Sequence, residues 1–155
     1  ERTGIAGVGQ SKAEFARLEA IAKIEMRRGS PLNEDPLFKI KLADLELKLR
    51  ALELTNLRML MEEKDKGAPS PISSILKIVG SEVQQEIATL TMEAVGSYAA
   101  PFIPESLNEA WNGELAGPDY AAHATPYYFF RRKASIYGGS NEIQRNIISK
   151  HLLGL

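Results

Sequence analysis

The residues best suited to chemistry in this sequence fall in one short run near its end, Tyr137-Gly138-Gly139-Ser140-Asn141-Glu142. Two glycines stand directly before a predicted helix, so a bound group can approach the backbone closely. The free N–H groups of a helix N-terminus favour anions and polar cofactor atoms. A bare glycine pair is a weak signal, and from the residues alone a plain turn closed by a serine cap is the favoured reading. Just upstream, Arg131-Arg132-Lys133 is the only basic triplet. Arginine forks suit phosphate groups, although such a run is more commonly a solvated face or pairs with nearby carboxylates.

Other polar positions carry less. Asn56 interrupts a leucine seam, where a polar group sets helix register rather than doing chemistry. Trp111 in a proline-rich stretch reads as an anchor that packs the loop down, or as a substrate wall. His123 and His151 are too isolated to form a metal pair, and His151 suits a helix C-terminus. Glu1, by position alone, is a solvated carboxylate. No Ser/His/Asp set, metal-ligand spacing or phosphate loop can be assembled. With no cysteine among 155 residues, disulfides, thiolate catalysis and cysteine zinc sites are excluded.

The elements that must position these residues follow from where glycine and proline fall. Between Pro36 and Gly67 there is neither, and good helix formers dominate. Phe38, Leu42, Leu45, Leu49, Leu52, Asn56 and Met59 recur at alternating steps of four and three, a seam for packing on other helices. A second stripe, Ile40, Leu47, Leu54 and Met61, runs at steps of seven. Positions 40 and 42 lie about 200° apart around a helix of roughly 3.6 residues per turn. This helix is therefore apolar on nearly opposite sides, and its second face needs a partner subunit or domain.

A similar seam runs from Pro71 to about Tyr98 through Ile72, Leu76, Val79, Val83, Ile87, Leu90 and Ala94, with Ser70-Pro71 as its start. Gln10 to Arg28 predicts another helix, carrying Phe15, Leu18, Ile21, Ala22, Ile24 and Met26, ended by Gly29-Ser30-Pro31. From Ala99 to Pro126, four prolines forbid a long helix and predict a long ordered loop. A short helix follows over 126–135. The last helix, capped by Ser140, is expected to bury Ile143, Ile147, Ile148 and Leu152 and to stop at Gly154. No β-period and no internal repeat is visible. The expected fold is all-α, an antiparallel up-and-down bundle of four main helices with a long Pro-rich loop before the last helical region.

Composition agrees with an ordinary globular domain: 44% hydrophobic, 25% charged, and 19 Lys+Arg against 20 Asp+Glu. A net charge of −1 makes nucleic-acid binding through bulk charge an unattractive reading. No window approaches the roughly 18 consecutive apolar residues of a membrane span. The first residues show no signal-peptide pattern. These features predict one soluble, cytoplasmic domain over residues 1–155, with no metal.

The closing run, Ile136-Tyr137-Gly138-Gly139-Ser140-Asn141-Glu142-Ile143-Gln144-Arg145-Asn146-Ile147-Ile148, resembles the C-terminal signature of FAD-dependent acyl-CoA dehydrogenases. The opening, Glu1-Arg2-Thr3-Gly4-Ile5-Ala6-Gly7-Val8-Gly9, looks like the start of the same family's C-terminal helical domain. The two runs bracket the whole chain. The resemblance implies a fragment of a longer enzyme with an N-terminal helical domain and a middle β-domain. The bundle would form the oligomer core, and FAD would lie between domains and reach the neighbouring subunit.

It also implies the family's reaction, α,β-dehydrogenation of an acyl-CoA thioester in fatty acid metabolism. A carboxylate removes the α-proton while the β-hydride passes to FAD. The implied partners are the acyl-CoA substrate, an acceptor of the electron-transfer flavoprotein type, and further copies or a related chain in a dimer or tetramer. Gly138, Gly139, Ser140 and Glu142 match turn positions that approach FAD, with Tyr137 on the substrate side.

Two departures qualify the resemblance. Most members carry the base as the Glu of a Tyr-Glu-Gly-Thr turn, where this chain has Gly138. A minority carry it in a Glu-Arg pair at the start of this domain, and Glu1-Arg2 is similar to that pair, with Arg2 helping to position the turn at Tyr137. In addition, Arg27-Arg28-Gly29-Ser30-Pro31-Leu32 keeps only the arginines of an Arg-x-x-Phe-Gly segment that contacts the FAD pyrophosphate. That pattern is similar to members assembled as heteromers with flavin in only some sites. The alternative is a catalytically inactive helical scaffold on the same fold. Under either reading, the isolated chain is expected not to hold FAD tightly.

Overall fold

Asp35 starts the longest helix. Its Oδ1 accepts from the backbone N–H groups of Leu37 at 3.1 Å and Phe38 at 3.0 Å, satisfying donors that a helix start leaves orphaned. Pro36 takes the first helical position, where a missing N–H costs nothing. The structure, a computed structural model, describes residue 4 and residues 6–62 and 72–155. Its elements are helix α1 (Val8–Ile24), strands β1 (Met26–Arg27) and β2 (Ser30–Pro31), α2 (Pro36–Glu62), α3 (Ile72–Val95), α4 (Asp119–Ala122), α5 (Ala124–Arg132) and α6 (Asn141–Ile148).

Cross-helix ion pairs report the directions. Lys41 meets Glu93 at 2.7 Å and Lys48 meets Glu86 at 3.0 Å; the numbers rise on α2 as they fall on α3, so the two helices are antiparallel. Gln84 lies against Gly7, whereas Arg27 reaches Glu93, so α1 runs the same way as α3. On the other side, α5 descends along α3, with Arg131 beside Gln84 and Thr125 beside Met92. The chain therefore goes up and down as expected, with α3 packed against α1, α2, α5 and α6.

The predicted seams form the core. Phe38, Leu45, Leu49, Leu52 and Met59 of α2 are buried against Phe15, Leu18 and Ile21 of α1 and Leu76, Val83, Ile87 and Leu90 of α3. Leu42 and Asn56 are half-buried. The second stripe is open to solvent, with Ile40, Leu47, Leu54 and Met61 each 63–77% exposed. Gly80 is required where the chain start crosses α3: a Cβ there would lie 2.6 Å from the carbonyl oxygen of Ala6.

Several expectations need correction. α1 ends at Ile24, and the residues beyond it form a two-stranded antiparallel hairpin, Met26 opposite Pro31 and Arg27 opposite Ser30. The turn uses left-handed Arg28 (φ 53°) and Gly29 (φ 87°). Strands this short carry no alternation to read, and Ile24 and Met26 are left exposed. α3 tightens into a 3-10 turn at Gly96–Ala99 rather than reaching Tyr98 as α-helix. The short helix begins at Ala124, because Pro126 still falls in its first turn.

The last helix also differs. Ile143 and Leu152 are 52% and 51% exposed, Ile147 and Ile148 are half-buried, and the buried residue of α6 is Asn141. Among the described residues nothing covers Ile143 and Leu152, which the periodicity assigned to the buried side. A π-turn at Ser149–Leu153 follows, and Gly154 ends it in a left-handed conformation (φ 70°). The 99–126 excursion is ordered by local packing: Trp111 lies over Gly113, Tyr98 over Gly117, and Thr125 donates to the carbonyl of Ala99. Trp111 is thus a loop anchor. The Ser70-Pro71 helix start lies outside the described residues.

Candidate functional site

Gly138 (φ 67°) and Gly139 (φ 90°) are consecutive left-handed residues, a path that side chains with a Cβ rarely follow. At Gly139 a Cβ would also come within 2.7 Å of Gln144 Nε2. Gln144 straps the turn by donating to the Gly138 carbonyl at 3.4 Å. Ser140 caps α6, its Oγ accepting from Ile143 N–H at 3.4 Å. The glycines are therefore needed by the backbone path, and the serine cap is real.

The turn forms one wall of a cleft of about 240 Å³. Gly4 and Gly7 at the chain start, Lys77 and Gln84 of α3, and Tyr137, Gly138 and Gln144 line it. Glu142 is exposed at the mouth of α6. Its own backbone N–H and the Ser140 hydroxyl hold its carboxyl below the usual range, helped by Arg145 and Lys77. Below the turn, Asn141 is buried. Lys77 Nζ donates to Asn141 Oδ1 at 2.7 Å, and Asn141 Nδ2 donates to Ser81 Oγ at 3.1 Å. Burial pushes the Lys77 ammonium below its ordinary pKa, partly countered by Glu142.

Of the predicted site residues, the structure brings Tyr137 and Gly138 to the cleft, with Gly139, Ser140 and Glu142 adjoining. Glu1 and Arg2 lie outside the described residues. Among the described residues the basic triplet forms no ion pair with a carboxylate. Arg131 is buried, donates to Gln84 Oε1 at 3.2 Å and lies 4.8 Å from the Tyr127 ring centroid. Arg132 lies 4.3 Å over Tyr128 and donates to the Gln85 carbonyl at 3.0 Å; Lys133 stands 3.6 Å over Phe130. Cation–π stacking and hydrogen bonds thus use all three to fasten α5. Arg27 is likewise engaged, 3.8 Å from Glu93 and 6.0 Å over Phe38. No cluster of metal-ligating side chains occurs among the described residues.

Sequence reasoning missed Lys77, Gln84 and Asn141. The one available signal was a lysine set in an apolar run, Leu76-Lys77-Ile78-Val79. The amide side chains and the Lys77 ammonium suit the polar edge of a flat heterocycle, and the helix N-terminus adds N–H donors. A cleft of about 240 Å³ is too small for a whole dinucleotide such as FAD and would take only part of one.

Fold and site together define an all-α bundle domain with a glycine turn closing a polar cleft. The chain belongs to the acyl-CoA dehydrogenase C-terminal domain family, which residues 1–153 match. It is 29% identical over 152 residues to acyl-CoA dehydrogenase IpdE1 of Mycobacterium tuberculosis, covering 98% of this chain and 35% of that protein. It is 28% identical over 154 residues to the mitochondrial short-chain specific acyl-CoA dehydrogenase of Rattus norvegicus, covering 98% and 33%. The fold is shared with the ChsE4-ChsE5 complex from Mycobacterium tuberculosis: TM-score 0.70, 24% identity, 94% of this chain and 35% of that one. The chain thus spans about a third of the length of these relatives. Among the described residues no helix is long and apolar enough to cross a membrane.

Proposed function

We propose that this chain is the C-terminal domain of a flavin-dependent acyl-CoA dehydrogenase. The observation that carries the reading is the twin-glycine turn set against a polar cleft, in a chain matching the family from end to end. Gly138 and Gly139 offer backbone at close approach, Ser140 and Glu142 hold the start of α6, and Tyr137 faces the substrate side. A bound flavin supplies the acceptor for the substrate's β-hydride. Glu1 is the base: its carboxylate takes the α-proton that the thioester carbonyl acidifies, in the place of the Glu that Gly138 replaces. Arg2 is its neighbour and helps to position the turn.

The exposed stripe of α2 is the subunit interface in this reading, and the relative solved as a ChsE4-ChsE5 complex supports a partner that is a related chain. Acyl-CoA is the substrate and an electron-transfer flavoprotein-type carrier the acceptor. The test is anaerobic flavin bleaching by a panel of acyl-CoA thioesters, using the full-length protein with its partner chain, wild type beside Glu1→Gln. We expect bleaching in the wild type and its loss in the variant with flavin retained. Equal bleaching in both would remove Glu1 from the role.

Arg27 favours a second reading. It lies 3.8 Å from Glu93 and 6.0 Å over Phe38, contacts within its own bundle that an inactive helical scaffold would equally use. A flavin-loaded wild type that no acyl-CoA bleaches would establish that alternative.

A further inference from the structure

α6 is attached to α3 in an unusual manner. Its apolar Ile143 is 52% exposed, while its first residue, Asn141, is 5% exposed and its side chain ends in a polar network. Lys77 and Ser81 stand one helical turn apart on α3, so both reach Asn141 from the same face. Lys77 is itself 8% exposed. A buried ammonium is costly to desolvate, and a neutral side chain could tie two helices at lower cost. Lys77, like Ser81, also lines the cleft on which Gly138 and Tyr137 face. Arg145 and Glu82 span the same junction at 3.4 Å, but both are more than half exposed, so that bridge contributes little.

We propose that Lys77 is a positioning residue: by holding Asn141 it fixes where the Gly138–Gly139 backbone and the N-terminus of α6 face the cleft. Its consequence for flavin rests on the function proposed above; its hold on the turn does not. Asn141 directly follows the turn and its cap, leaving no slack between the polar anchor and the glycines. The Ser81 hydroxyl donates to the Ile78 carbonyl at 2.8 Å, lies within a longer 3.3 Å of Asn141 Oδ1, and accepts from Asn141 Nδ2 at 3.1 Å. Lys77, at 2.7 Å, is therefore the closer and charged donor to Asn141 Oδ1. Without it, that buried oxygen keeps only the longer Ser81 contact and the start of α6 loses its register.

The test compares Lys77→Met, Asn141→Ala and the double variant in the full-length protein with its partner chain. Glu82→Gln, which removes only the exposed bridge, is the control. Amide hydrogen exchange over residues 137–144 should quicken by about tenfold in each single variant, and the double should be no faster than the faster single. Glu82→Gln should leave it unchanged. Flavin affinity of the deflavinated protein should fall by about tenfold in the same variants, with a shift in the visible flavin spectrum.

Unchanged exchange, or effects that add in the double variant, would overturn the proposal. So would faster exchange with wild-type flavin affinity and spectrum, which would leave Lys77 a structural tie. Asn141→Ala leaves α3 intact and decides the matter if Lys77→Met does not fold. A wild type that takes up no flavin would sink the flavin reading alone, and exchange at the turn would still decide whether Lys77 holds it.

Discussion

Tyr120 reaches back across the bundle from α4 to the end of α1, where its hydroxyl donates to Glu25 Oε1 at 2.9 Å. Partial burial, and then this carboxylate, push the phenol up to about 12. The folded value lies above the unfolded one, so the tie's contribution is complete below the ordinary tyrosine pKa. It is lost as pH rises through the folded value. We expect Tyr120→Phe to narrow its stability difference from wild type between about pH 10 and pH 12, read from denaturant midpoints. A difference constant over that range would remove the tie. Residue-scale chemistry was partly legible in the sequence. The turn at 137–142, Asn141 within it, stood out through its glycines, whereas the partners of Gln84 and Asn141 were not legible, because they lie 47 and 60 positions away.

The two faces of α2 show what one helix owes to its own bundle. Leu45 is fully buried, while Leu47, two positions on, is 70% exposed. Leu45→Ala should destabilise the protein by about 2–5 kcal/mol, since it removes packed atoms and leaves a cavity. Leu47→Ala should change the stability of this bundle by less than about 0.5 kcal/mol in a dissociated subunit. Comparable losses at the two positions, measured by urea midpoints under dissociating conditions, would contradict the assignment of faces. Periodicity was reliable for α2 and α3, where many turns reinforce one pattern. It misled for the last helical region, where Ile143 and Leu152 are exposed and Ile147 and Ile148 are only half-buried.

The exposed stripe of α2 and the open side of α6 make the described chain an incomplete surface. Contiguous apolar surface on a folded domain marks a contact with something else, and the chain spans only about a third of its relatives' length. Charging the stripe with Leu47→Glu and Leu54→Glu together should reduce the assembly's mass by light scattering, with helical content retained. An unchanged mass would assign the stripe to another domain of the same chain.

Some of this protein was determined by its sequence alone. Helix formers unbroken by glycine or proline, seams at helical spacing and proline-dense punctuation dictate an up-and-down bundle, because those preferences are local and repeat over many turns. The hairpin at Arg28-Gly29 was decided by the tertiary structure, since it depends on two left-handed residues and a return path beside the end of α1, where Leu32 N–H donates to the Glu25 carbonyl at 2.8 Å. So were the use of the basic triplet in stacking and the burial of Lys77 beneath the glycine turn. Each depends on which distant side chain folding brings within hydrogen-bond or stacking distance, and no periodicity in the sequence encodes that distance.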